Sequence, residues 1–305
     1  DYKIADYETI LKYFQHLAQT SKMIVYEEIG KTVQKRDMFM AIISTEDNIK
    51  NLELYREISR KLADPRKLID EEAKKLIQQG KIVVLVTCNI HSTEIASAQM
   101  SMELAYKLVS KSVSEKTLRA LYDVIFILMP SINPDGTTMV VNWYNKYLGT
   151  EYEGSPMPWL YHVYAGHDNN RDWFMFNLPE TRNVIEIAYR KWIPQIWLDE
   201  HQMGSNGARL FIVPYKDPLN PNVNPKLWRW QKVIGGITAL ELEKQGLNGI
   251  IDQAMFEGWW QGPASDCGLW HNQIALLSEM ASCNIASPIY IDPSEIRATP
   301  EISTY

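Results

Sequence analysis

Residues 82 to 94 read IVVLVTCNIHSTE, an apolar and mostly β-branched run from Ile82 to Val86, closed by Thr87 and Cys88 and followed at once by His91 and Glu94. An apolar run without polar alternation is how a strand covered on both faces reads. Similar runs recur at VIFILM (124 to 129), IWL (196 to 198), LFIV (210 to 213) and IALL (274 to 277). Between them, Ile95, Ala98, Met102, Ala105 and Val109 recur at steps of three and four, which predicts a helix from about Glu94 to Ser110 with one apolar stripe. A second helix is predicted over Pro179 to Trp192, with a proline at its entry and Pro194 as its stop. Strands alternating with helices predict an α/β fold: a mixed, mostly parallel central β-sheet sandwiched between helices. Ligands then gather at the loops off the carboxyl ends of the strands.

The 305 residues carry 31 Lys+Arg and 37 Asp+Glu, a formal net charge of −6, with 46% hydrophobic and 11% aromatic residues. This balance excludes a disordered tail, a small disulfide scaffold and a basic nucleic-acid arm, and predicts one domain over residues 1–305. No run approaches the roughly 18 apolar residues that a membrane helix needs, so neither a membrane nor a nucleic acid is an expected partner. Cys88, Cys267 and Cys283 are an odd set without CxxC spacing, which argues against a disulfide framework and a cysteine-ligated zinc. The chain starts at Asp1 without Met or a leader and reads as processed or trimmed.

Residues 46–80 differ from the rest: interleaved charges, a break at Ala63-Asp64-Pro65 and a stop at Gly80 predict two surface helices without chemistry. The stretch from Gly136 to His167 holds Trp143, Tyr144, Tyr147, Tyr152, Trp159, Tyr161 and Tyr164 among Gly and Pro and reads as a long aromatic loop. Neither GxGxxG nor GxxxxGK[ST] occurs, so there is no nucleotide signature. His16 and His271 have no partner spacing and read as ordinary residues.

His91 and Glu94 stand three apart just after the first buried strand, and one turn places an imidazole and a carboxylate on the same side, as two ligands of one zinc ion require. The spacing alone is weak; its place at a strand end gives it weight. Catalytic zinc keeps three protein ligands, and IWLDEHQMG supplies His201 after another strand. A hydrolytic site also needs a carboxylate to move the proton of the attacking water, and IALLSEMAS places Glu279 directly after the last apolar run.

HSTE after a strand, then NPDG (Asn133 to Gly136), HDNNRDW (His167 to Trp173), His201 and Glu279, in that order, resemble the zinc-dependent metallocarboxypeptidases of the carboxypeptidase A type. The resemblance spans about 200 of the 305 residues and marks a divergent branch of that family. It implies that His91, Glu94 and His201 hold one Zn2+ and that Glu279 is the general base acting on the zinc-activated water. It implies that Asp168 accepts a hydrogen bond from His91 and fixes its tautomer. Asn170 and Arg171 match the pair that grips the free carboxylate of a peptide substrate. A secreted or periplasmic location is the corresponding expectation.

The chain departs from the pattern in several places. No Arg occurs between Gly136 and Arg171, where the family carries an oxyanion-stabilising Arg; Lys146, the only Lys in that interval, is the candidate substitute, with His162 or a backbone donor as the other choices. No Tyr occurs between Tyr215 and Tyr290, and Trp259 or Trp260 stands where the family has a capping Tyr. The specificity pocket should draw on Gly262 to Cys267, where Ala264 and Ser265 suit a small apolar pocket and Asp266 an acidic one. The helical segment at 46–80 reads as an insertion. Only 26 residues follow Glu279 (305 − 279), fewer than is usual, which suggests a truncated C-terminus.

The leading expectation is thus a zinc metallopeptidase that hydrolyses a C-terminal peptide bond. The alternatives are a zinc amidohydrolase acting on a cell-wall peptide or an N-acyl amino acid, and a catalytically inactive peptide-binding relative.

Overall fold

The computed structural model describes residues 3–162 and 164–295. Eight strands form one sheet: β1 (Ile24–Lys31), β2 (Asp37–Ile43), β3 (Ile82–Cys88), β4 (Val124–Met129), β5 (Ile196–Met203), β6 (Leu210–Ile212), β7 (Ile250–Ile251) and β8 (Ile274–Ala281), in the order β1-β2-β4-β3-β5-β8-β6-β7. The centre, β4-β3-β5-β8, is parallel, and antiparallel pairs flank it at β1-β2, β2-β4 and β6-β8. The helices are α1 (Tyr7–Thr20), α2 (Glu46–Lys50), α3 (Leu52–Ala63), α4 (Asp70–Gln79), α5 (Ala96–Val109), α6 (Glu115–Asp123), α7 (Pro134–Tyr147), α8 (Pro179–Ile185), α9 (Pro225–Glu243) and α10 (Ala264–Cys267). No helix among the described residues is long and apolar enough to cross a membrane.

The apolar runs are strands because both of their faces are covered. Val83 and Leu85 of β3 point into one core cluster with Ile125, Ile127, Trp192 and Trp197, while Val86 and Cys88 point into another with Leu128, Phe14 of α1 and Ala98 and Ala105 of α5. This is the predicted sandwich, with period-2 side chains feeding opposite layers. Cys88 and Cys267 are buried thiols and Cys283 is exposed.

Three local expectations change. Residues 136–147 are helical: Asn133 caps α7 by accepting from Gly136 N at 3.1 Å, Pro134 occupies the first turn, and Thr137, Val140, Val141 and Tyr144 form its buried face. The first third or so of the expected aromatic loop is therefore a helix whose period is masked by its polar and aromatic outer face. Asn51 (φ −115°, ψ 20°) splits the first of the two helices expected in 46–80 into α2 and α3, and the second is α4. The helix expected over 179–192 widens after α8 into a π-helical turn, Glu186–Lys191.

Candidate metal centre

The loop after β3 sets the first two candidate ligands. Asn89 stands in the left-handed region (φ 59°), and its buried amide nitrogen donates to the carbonyls of His91 (3.4 Å) and Glu94 (3.0 Å) while its oxygen accepts from Thr137 (2.5 Å). Asn tolerates this conformation better than most residues, and its amide can satisfy the turn it creates. The turn closes with Glu94 N donating to His91 O at 2.9 Å, and α5 starts only at Ala96. The pair is thus set by a turn, and not by the first turn of a helix as the spacing suggested.

The third candidate ligand comes from β5, where Trp197, Asp199 and His201 alternate onto one buried face. The Nδ1 atoms of His91 and His201 lie 2.9 and 2.8 Å from the two oxygens of Glu94, and the ligand atoms of all three residues fall within 4.8 Å of one another. Each imidazole turns its other nitrogen to a carboxylate: His91 Nε2 lies 3.0 Å from Asp168 and His201 Nε2 lies 2.8 Å from Asp199. Such outer carboxylates fix the tautomer that leaves Nδ1 for a metal.

Two borderline nitrogens and one carboxylate oxygen, held from behind, form a donor set that suits zinc. Burial opposes charge on His91, but the Asp168 and Glu94 carboxylates overcome it and lift the imidazole to about 9. Burial likewise opposes the Glu94 anion, and hydrogen bonds from His201 and His91 overcome it, to about 2. The site is therefore built for a cationic centre surrounded by anions.

Glu279 enters through strand register. In the parallel pair β5-β8, His201 lies opposite Glu279, so the carboxylate adjoins the triad at the carboxyl end of the sheet. It is buried, and desolvation pushes it up to about 7 against the pull of His201. Asn170 and Arg171 follow Asp168 in a short 3₁₀ turn, where Asp168 accepts from Asn170 N at 2.8 Å. A cavity of about 350 Å³ joins these groups: His91, His201, Glu279, Asn170 and Arg171 line it with Tyr215, Trp259, Trp260 and Asp266. Arg171 is half-exposed there, 5.9 Å from the Trp260 ring centroid and 3.8 Å from Asp168. A second cavity of about 400 Å³ meets the triad at Glu94 and is lined by Trp143, Tyr152 and Met203 among others.

Lys146 is not brought to the site. It is exposed on α7, its ammonium 5.4 Å from the ring centroid of Trp143 and 5.0 Å from that of Tyr147, and it lines neither cavity. A helix that begins at Pro134 carries Lys146 about three turns away from the strand end, which the loop reading did not anticipate. His162 is buried beside Tyr161, whose ring centroid is 6.4 Å from that of His91.

Sequence reasoning missed Asp199 and Tyr161. The first has a signal in hindsight, an acid two residues before a strand histidine and hence on the same face. Tyr161 was lost among the aromatics of the loop.

A family model for zinc carboxypeptidases, peptidase M14, matches residues 10–220, and the chain belongs to that family. Glu279 lies beyond the matched residues, so its place at the site comes from the β5-β8 register. Compared by sequence with curated proteins, the chain matches none. Among solved structures it is similar to a metallo-carboxypeptidase from Burkholderia cenocepacia (17% identity, TM-score 0.60, covering 92% of this chain and 61% of that one). It is also similar to carboxypeptidase A from Helicoverpa armigera (17%, 0.58, 92% and 64%). Bovine thrombin-activatable fibrinolysis inhibitor, solved with tick carboxypeptidase inhibitor, is similar as well (13%, 0.60, 91% and 86%). At these identities the likeness is one of fold, and the chain spans less than two thirds of the first two structures' length.

Proposed function

We propose that the chain is a zinc metallocarboxypeptidase that removes a C-terminal residue from peptides with a free carboxylate. The observation that carries this reading is the convergence on one cavity of the two histidines of a three-donor group, a buried carboxylate in register with His201 and the Arg171 guanidinium. Bound at His91, Glu94 and His201, zinc would act as a Lewis acid toward the scissile carbonyl and lower the pKa of water.

The remaining work falls to the protein. Glu279 takes a proton from the attacking water and hands it to the amine that leaves. Arg171 meets the terminal carboxylate with a fork of donors. Asn170 accepts from Ala264 N at 2.9 Å through its oxygen, and its amide nitrogen lies 3.3 Å from His201 Nε2. That nitrogen donates to Asp199 and cannot also accept, so the Asn170 amide keeps a donor for the substrate.

Arg171→Ala tests the anchoring. A charge-assisted, two-point contact is worth roughly 10- to 100-fold in kcat/KM, so the variant should lose that much on free-acid peptides and almost nothing on their amidated twins. Equal losses on both would remove the anchoring role.

Asp266 gives the pocket a pH-dependent preference. Burial lifts its carboxyl to about 7, with the Tyr215 and Ser265 side chains beside it and Arg171 in the same cavity. Below that pH it is neutral and above it anionic, so the ratio of kcat/KM for Lys-terminated over Leu-terminated peptides should rise between pH 6 and pH 8. Asp266→Asn should flatten the ratio; a flat ratio in the parent would show that Asp266 does not face the terminal side chain.

A further inference from the structure

Helix α9 turns one face inward and leaves a second, equally regular face uncovered. Leu227, Trp228, Gln231 and Gly235 are buried; Gln231 donates to Ala275 O at 2.6 Å. A Cβ at Gly235 would fall 1.8 Å from Val213 O, so the backbones touch there. Trp230, Val233, Ile237 and Leu240 are exposed by 51, 48, 58 and 58%. Their steps of three, four and three are the a/d pattern of a helix that packs against another helix. A Cβ at Gly236, beside the stripe, would meet nothing within 4 Å, which leaves room for close approach.

We infer that this face of α9 is the interface of a two-fold symmetric dimer in which the α9 helices of two copies pack antiparallel. The stripe is its own complement in that orientation: Trp230 faces Leu240 of the second copy and Val233 faces Ile237, both pairs centred on position 235, and each is the a-to-d′ pairing of an antiparallel coil. Self-complementarity of this kind is what an isologous interface requires.

Charge selects the orientation. Lys226, Arg229 and Lys232 lie toward the amino end of α9, and Glu241 and Glu243 lie at its carboxyl end. This arrangement runs against the macrodipole of the helix and disfavours it in isolation. An antiparallel partner brings Arg229 to Glu243 of the second copy, and neither residue has an ion-pair partner in its own chain among the described residues. A parallel partner would set like charges together.

Sedimentation of the chain from low to about 50 µM tests this, because a dimer with a Kd of about 1 µM is largely paired at the upper end. The parent should sediment as a dimer. Ile237→Asp, at an exposed position, should give a monomer that melts with the parent at concentrations low enough to keep the parent monomeric. Arg229→Glu and Glu243→Arg should each weaken the dimer by roughly three- to tenfold, since one substitution removes both symmetric pairs, and the double swap should restore it. A parent that stays monomeric overturns the inference and leaves the stripe to a different chain or segment. A dimer indifferent to Ile237→Asp overturns it too.

Discussion

Glu279→Gln should lower kcat/KM by roughly 10²- to 10⁴-fold, the usual worth of a positioned general base, while leaving metal content unchanged. Glutamine keeps the shape of the side chain, and Glu279 is not among the three residues whose ligand atoms cluster. The parallel register that sets it opposite His201 depends on backbone pairing from Ile196↔Ile274 to Met203↔Ala281, which the substitution does not touch. The variant should therefore bind peptide and metal and fail to turn over. Undiminished hydrolysis would remove Glu279 from the mechanism, and loss of metal would show that it acts as a ligand.

His201→Ala and His91→Ala should both abolish tightly bound zinc, and they should differ in stability. Asp199 is fully buried, held by Thr87 Oγ1 at 2.6 Å and by His201. Removing His201 strands that carboxylate, and breaking a buried pair costs about 3 to 5 kcal/mol, or on the order of 10 °C in Tm for a chain of this size. Asp168, the corresponding partner of His91, is 36% exposed, so water compensates its loss and His91→Ala should melt close to the parent without metal. Equal melting of the two metal-free variants would contradict the burial argument. Zinc retained by either would contradict the ligand set.

The parts of the fold that carry chemistry were the most legible in the sequence. β3, β5 and β8 are covered on both faces, so they read as uninterrupted apolar runs, and the polar residues that interrupt them at their carboxyl ends are the ones that meet in space. His91, Glu94, His201 and Glu279 were visible for that reason. The edge strand β1 was not, because IVYEEIGK mixes charges into a half-covered strand, whereas the neighbouring β2, DMFMAII, carries the same buried apolar signal and was overlooked. α7 was hidden by a Pro-Asp-Gly start and by Asn142, Trp143, Asn145 and Tyr147 on its outer face, and with it the true position of Lys146. The Asn89 turn depends on a backbone conformation and an amide network that no spacing rule encodes. Asp199 looked like one more acid in DEH until the strand periodicity put it behind His201.

The most direct test is a mass-spectrometric time course of a peptide pool containing free-acid and C-terminally amidated forms, incubated with the zinc-loaded protein, with and without chelator. Loss of single C-terminal residues from the free-acid peptides alone, stopped by chelator and restored by zinc, is the expected result. Cleavage of amidated and free-acid forms alike, or internal cleavage, would contradict the carboxypeptidase reading, and an unchanged pool with zinc bound would contradict activity altogether.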